Sequence, residues 1–391
     1  MSLKTLNLGK NLENALKSGH PWIYRNHLPQ HNARNGEWVR LEANRASVIG
    51  LYDAESQIAV RLFSEEVIPN RAFIHERVKQ ALGLRNLISD DTDAYRLIYG
   101  ESDFLPAIVA DKYGRYVVIK TYSSSVETIL PDVVWALVKE LQGKELKLRG
   151  IARRTERGLE SLWGDLPPPE VNVKESGLTF IANLYEGQKT GLFLDQRENR
   201  QTARTLAKDK TVLNLFSYNG GFSLYALAGG ATHVTSVDIA KAANKDAERN
   251  VKLNGFEESS HEALTADVFE MLESYNKTRK TFDMVILDPP PLAKDKKNRY
   301  GAIRAYKKLN VQAMKCVKPG GLLVSSSCTS QVSPTDFKEM LKEAAGEANV
   351  QAQIIHEAGH ALDHPVPVNF PEGLYLKFVV MRLTRNASAN Q

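Results

Sequence analysis

Residues 211–223 read TVLNLFSYNGGFS, an apolar run closed by a glycine pair. An apolar run without polar alternation suits a strand covered on both faces. Gly220 and Gly221 then let the backbone approach a ligand where a helix begins. The G-x-G-x-x-G dinucleotide fingerprint is missing here, which weighs against a nicotinamide-dependent dehydrogenase.

The pattern extends outward from this stretch. From about Tyr185, strands and helices alternate, with strands expected at TVLNLF, HVTSVD, EALTAD, FDMVILD, GLLVSSSC, AQIIHE and YLKFVVMRL. Buried strands separated by helical crossovers predict a parallel, doubly wound α/β sheet. The last two strands have little helix between them and are expected to add an antiparallel pair at one edge.

Upstream the texture differs. Residues 1–70 read as a small β-rich module with strands at EWVRLE, ASVIGLYD and IAVRLFS, preceded by a helical stretch that Gly19 and Pro21 stop. Residues 71–184 mix a helix (RAFIHERVKQALGLRNLI), strands (PAIVADKYGRYVVIKTY) and a second helix (LPDVVWALVKELQG). LPPPEVNV reads as a stiff linker before the last domain, residues 185–391.

Composition bounds the function. The chain has 391 residues, and 51 Lys plus Arg face 46 Asp plus Glu, a mild positive balance that permits a polyanionic partner without requiring one. The N-terminal MSLKTLNLGK has no signal-peptide core, and no apolar run of membrane-spanning length occurs. Two cysteines, Cys316 and Cys328, cannot make a disulfide framework, so a reducing cytoplasm is expected.

Open α/β sheets bind ligands beyond the carboxyl ends of their strands, and these ends carry acids. Asp238, eighteen positions after Gly220, can accept the hydroxyls of a ribose. Asp267 is placed to receive an amino hydrogen from adenine, although a single acidic strand end is commonly a helix cap. Asp288 opens DPPP, where prolines 289–291 lack amide donors and must stop the strand. In EGQKTGLFLDQREN, Lys189 or Arg197 can meet a ligand carboxylate and Asp195 an ammonium group. No metal-ligand set stands out.

In order, GQKTGLFLDQR, FSYNGGFS, SVDIA, LDPPPLAK, SSSCTS and DHPVPVNFPEGLYLK resemble a family of S-adenosylmethionine-dependent methyltransferases that modify C5 of cytosine in large-subunit (23S) ribosomal RNA. LENALKSGHPWIY and the strands after it resemble that family's PUA domain, a small RNA-binding barrel, and DAYRLIYGESDFLPAIVADKYG resembles its central α+β domain. The resemblance implies a Rossmann-like class I methyltransferase sheet of seven strands. It implies S-adenosylmethionine held by Phe216, Ser217, Gly220, Gly221 and Phe222, by Asp238 with Ile239, and by Asp267 with Val268, beside Asp288, Lys189 and Asp195. It also implies Cys328, in Ser327-Cys328-Thr329, as the nucleophile, and ribosomal RNA as the partner. A homodimer is left open.

Cysteine suits that reaction. Cytosine C5 is too poor a nucleophile to take a methyl group unaided, whereas a thiolate added to C6 makes C5 enamine-like. Asp288 would hydrogen-bond N3 and the exocyclic amine and stabilise the developing charge. Asp288, a water or another base can then remove the C5 proton. Cys316, late in a helical segment, reads as packing.

Two basic clusters offer RNA contacts. One follows Asp288 and includes Lys294, Lys296, Lys297, Arg299, Arg304, Lys307 and Lys308, with Tyr300 and Tyr306 as stacking platforms. The other includes Lys144, Lys147, Arg149, Arg153, Arg154 and Arg157, and reads equally well as a solvated face.

Two other functions fit parts of the pattern. Asp-Pro-Pro also resembles the motif of methyltransferases acting on exocyclic amines of adenine or guanine, but those place an aromatic residue where this chain has Pro291 and Leu292. The resembled family often has a Lys-Phe-like pair at those positions, so the seating of the target base departs from its pattern. A non-catalytic RNA-binding assembly factor is the remaining alternative.

Overall fold

Val212–Leu215 and Met284–Leu287 are buried on both faces and pair side by side in parallel, forming the centre of a seven-stranded sheet. The fold was obtained as a computed structural model, and it describes residues 3–142, 147–293 and 296–385. Lys144 and Lys294 of the basic clusters lie outside the described residues.

The chain divides into two units. The second comprises Glu175–Ile181, Asp195–Ala361 and Leu374–Gln391 and contains that sheet. Its strands are β1 (Thr211–Leu215), β2 (His233–Asp238), β3 (His261–Thr265), β4 (Phe282–Leu287), β5 (Val317–Ser327), β6 (Val350–Ala358) and β7 (Lys377–Arg385). The helices are α1 (Arg197–Leu206), α2 (Gly221–Ala228), α3 (Lys241–Leu253), α4 (Val268–Thr278), α5 (Arg299–Lys315) and α6 (Pro334–Glu347).

The spatial order is 3-2-1-4-5-7-6. Strands β1 to β5 run parallel, and β7 lies antiparallel between β5 and β6. This is the seven-stranded class I arrangement that the resemblance implies, with the expected antiparallel edge. Order reverses between β1 and β4, so the crevice for a ligand opens at their carboxyl ends. The turn after β1 and the Asp-Pro-Pro turn after β4 both stand at that point.

The first unit comprises Met1–Lys174, Ala182–Leu194 and Leu362–Gly373. Lys4–Asn7, Trp22–Tyr24, Trp38–Ala43, Ala46–Tyr52 and Ile58–Ser64 make one five-stranded sheet over a core that includes Val39, Leu41 and Val60. A second five-stranded sheet runs from Ala94–Tyr99 to Gly158–Gly164, covered by helices Arg71–Leu84 and Leu130–Gln142. Two motif segments are anchored on this second sheet. Thr190 Oγ1 donates to Asp111 Oδ2 at 2.5 Å, and Arg96 forms a bidentate pair with the same carboxylate. Asp363 Oδ2 accepts the Arg96 amide at 2.7 Å, and its carbonyl accepts Arg85 Nη2 at 2.9 Å.

One expectation fails. EVNV is not linker but the start of strand Glu170–Glu175, which forms a hairpin with Leu178–Asn183. The preceding prolines mask a run whose burial alternates residue by residue at Val173 and Glu175, the period of a strand.

Candidate active site

Phe216, Tyr218 and Gly220, in the turn between β1 and α2, all have positive φ, at 57°, 48° and 78°. Two of the three are not glycine, and such strain concentrates at ligand sites. Gly220 has a second constraint: a Cβ there would lie 2.7 Å from Ala247 Cβ of α3. Glycine alone lets α2 start this close to α3.

Asp238, at the end of β2, ties this turn to its strand. Its Oδ2 accepts the Tyr218 amide at 2.9 Å and its Oδ1 accepts the Ala240 amide at 2.8 Å. Each oxygen keeps a further lone pair for a hydroxyl. Ile239 beside it is 71% exposed, a large apolar side chain open to a flat ligand. Asp267 caps α4 through Oδ1, which accepts the Phe269 and Glu270 amides, while Oδ2 takes no protein donor among the described residues. The carboxylate thus serves as a helix cap and retains an acceptor. Val268 and Phe222 are buried. Ser217 is buried too, and its Oγ has no hydrogen-bond partner among the described residues. A buried orphan hydroxyl and two half-buried carboxylates along three adjacent strand ends fit a nucleoside bearing hydroxyls and an amino group.

Asp195, Gln196 and Arg197 begin the next part of the site. Asp195 is buried and its Oδ2 accepts the Tyr375 hydroxyl at 2.6 Å. Arg197 binds Glu198 through Nε and Nη2. Lys189 belongs to the first unit, where its ammonium lies 4.5 Å from the centre of the Phe193 ring.

Gln196 was not among the expected site residues, yet it orients Asp288. Its Nε2 donates to Asp288 Oδ2 at 3.0 Å and to Ser326 Oγ at 3.0 Å. Its Oε1 accepts Asn199 Nδ2 at 2.6 Å, and Asn199 is held by the Gly359 carbonyl. In LDQR the amide stands between two charged residues and carries no charge to mark it.

Cys328 follows β5 and is half-buried, with Sγ 3.9 Å from the Pro289 carbonyl of the turn after Asp288. Thr329 fixes the chain just beyond it. Its Oγ1 meets the Tyr306 hydroxyl at 2.7 Å and accepts the Leu292 amide at 3.2 Å, and its carbonyl accepts Lys377 Nζ at 2.7 Å. Cys316 differs: it caps α5 inside the core, and burial pushes its thiol up to about 12.

The basic clusters divide once partners are visible. Tyr306 is fully buried on the inward face of α5 with Ala302 and Leu309, so it is not a stacking platform; Tyr300 is 68% exposed. Arg299 is paired with Asp336, and Lys307 with Glu343 and Glu347. Lys297, Arg304 and Lys308 are exposed. In the other cluster Arg149 and Arg153 meet carboxylates, and Arg154 donates to the carbonyls of Leu184, Tyr185 and Gly187. Those arginines are largely structural.

Residues 118–366 match the S-adenosylmethionine-dependent methyltransferase family, and residues 6–65 match a PUA-like domain. Proteins called ribosomal RNA large subunit methyltransferase I are similar along the whole length. That of Aliivibrio fischeri is 37% identical over 389 residues, covering 96% of this chain and 98% of its own. That of Alteromonas mediterranea is 37% identical over 385 residues, covering 95% and 97%. A solved chain complexed with SAH has a TM-score of 0.87 at 25% identity, over 97% of this chain and 100% of its own. The family match spans well over half of the sequence, its cofactor fits the acceptors along β1 to β3, and the chain belongs to the S-adenosylmethionine-dependent methyltransferases.

Proposed function

We propose that the protein methylates C5 of a cytosine in large-subunit ribosomal RNA through a covalent bond between Cys328 and C6. The observation that carries this is the placement of the two cysteines. Cys316 is sealed in the core, whereas Cys328 is half-buried at a strand end beside the Asp288 turn. The names of the full-length relatives support ribosomal RNA as the substrate.

When bound, S-adenosylmethionine supplies an electrophilic methyl group. Phe216 to Phe222, Asp238 and Asp267 would hold it. Cys328 thiolate adds to C6 and the C5–C6 double bond opens toward C5, which becomes nucleophilic. After C5 is methylated, loss of its proton restores the double bond and expels the thiolate. Asp288, oriented by Gln196, would hydrogen-bond the pyrimidine edge that gains charge on addition. The base must leave any helical stack to be reached.

The test uses ribosomal RNA containing 5-fluorocytidine. Fluorine cannot leave C5 as a proton does, so the wild-type chain with S-adenosylmethionine should form a protein–RNA adduct stable to denaturation. Cys328→Ala should form none, lose methyl transfer and still bind the cofactor. Near-normal turnover by that variant, with the methyl group mapped away from a cytosine C5, refutes the proposal.

A further inference from the structure

Lys377 opens β7 directly opposite Ser327 in the antiparallel ladder with β5, placing it across from the start of the Cys328 turn. Its side chain is buried, at 4% exposure. Nζ donates to the Thr329 carbonyl at 2.7 Å and to the Tyr375 carbonyl at 2.7 Å. No carboxylate lies within ion-pair distance of it among the described residues. A lysine is almost never buried without an anion, because desolvating an ammonium is costly and neutral carbonyls return only part of the loss. The position therefore calls for a negative group that is not a carboxylate.

We infer that Lys377 is a positioning residue for the thiolate of Cys328: its ammonium, fixed on the peptide next to the cysteine, stabilises the ionised sulfur before base addition. This deepens the proposed function and rests on its reading of Cys328 as the nucleophile. The thiol proton leaves to solvent and Lys377 keeps its own.

The surrounding titratable groups define the setting in which this cation acts. Tyr306 of α5 and Lys377 are each coupled electrostatically to Cys328, while Asp288, after β4, acts on Tyr306 and Asp336 of α6 acts on Lys377. Both acids add negative charge to this group of side chains, although Asp336 is partly neutralised by Arg299. Tyr306 stays neutral, its hydroxyl pushed up to about 12 by burial. For Lys377, burial lowers the ammonium to about 8, while Cys328 and then Asp336 act to raise it. At neutral pH it is mostly charged, and by reciprocity each charge strengthens the other.

The test reads alkylation of Cys328 by iodoacetamide against pH, on the full chain without cofactor, with the modified peptide identified by mass spectrometry. The wild-type midpoint should lie at least one pH unit below the ordinary thiol value of about 8.5. Lys377→Met should raise that midpoint by a unit or more, slowing alkylation at pH 7 about tenfold, and Lys377→Arg should restore most of the rate. A wild-type midpoint at the ordinary value overturns the inference without needing any variant. So does an unchanged midpoint in folded Lys377→Met. Methylation by Cys328→Ala would refute the nucleophile and leave the measured midpoint standing. An ordinary midpoint beside a dead Cys328→Ala would refute only the role of Lys377.

Discussion

Gln196 Nε2 and Asp288 Oδ2 lie 3.0 Å apart although 92 positions separate the residues in the chain. The contact ties the LDQR segment before α1 to the Asp-Pro-Pro turn after β4. Because the amide also reaches Ser326, two positions before Cys328, one side chain holds both the acid and the end of the strand that precedes the cysteine.

Replacing Gln196 by Leu keeps the volume and removes both donors. Methyl transfer is expected to fall by roughly tenfold to a hundredfold, the usual cost of losing a residue that orients another. Affinity for S-adenosylmethionine, which we propose is held along β1 to β3, should stay unchanged. Gln196→Glu should do more, since it removes the donated hydrogen bond and sets a second carboxylate against Asp288. Calorimetry with S-adenosylmethionine and steady-state kinetics separate the two effects. Full activity in Gln196→Leu would remove Asp288 orientation as a requirement.

Gly220 and Gly255 both have left-handed backbone, at φ 78° and 73°, but only Gly220 has a neighbour where a Cβ would go. Gly255→Ala should cost about 1–2 kcal/mol, the left-handed penalty alone. Gly220→Ala should cost about 1–3 kcal/mol more, because α2 must move off Ala247, and should also weaken cofactor binding. Urea unfolding of the two variants checks the difference. Equal losses would mean that α3 yields freely.

Much of the candidate site was legible because its residues lie at strand ends. Apolar runs such as FDMVILD mark strands buried on both faces, and whatever follows them must face the crevice. Long-range pairing was not legible. Gln196 and Lys377 have no local pattern that points to Asp288 or Thr329, since register across the sheet decides both meetings. Tyr306 looked available because it sits among lysines, yet the helical period turns it inward with Ala302 and Leu309. Arg154 belonged to a charge run and proved to hold three carbonyls of the 184–187 segment.

His261 closes a polar chain through the second unit. Its Nε2 meets Ser236 Oγ at 2.8 Å, Ser236 meets Ser223 at 2.7 Å, and Asn214 Nδ2 donates to Ser223 at 2.8 Å. Burial, aided by His233, lowers the imidazole to about 4 from 6.5. Between these values the unfolded chain binds the proton more readily than the folded one, so stability rises with pH across that window and falls on acidification. The loss at pH 5 should be about 1–2 kcal/mol relative to pH 7.5. His261→Asn, which cannot charge, should flatten the dependence even if it lowers stability at neutral pH. An unchanged slope in urea titrations at pH 5 and 7.5 would place the acid sensitivity elsewhere.

The RNA contacts should divide along the pairing seen on α5 and the segment before it. Lys297, Arg304 and Lys308 are exposed and have no carboxylate within ion-pair distance among the described residues. Lys307 is already neutralised by Glu343 and Glu347. A phosphate contact releases counterions, and each one contributes about 0.7 to the slope of log affinity against log salt for single-stranded RNA. Changing Lys297, Arg304 and Lys308 together to Gln should therefore flatten that slope by about 2 while cofactor affinity stays fixed. Lys307→Gln should leave it nearly unchanged. Tyr300→Ala should weaken binding by about 1–3 kcal/mol with the slope intact, because stacking releases no ions. If the triple variant keeps the wild-type slope, the phosphate backbone runs over another face, and Lys297, Arg304 and Lys308 are solvated surface.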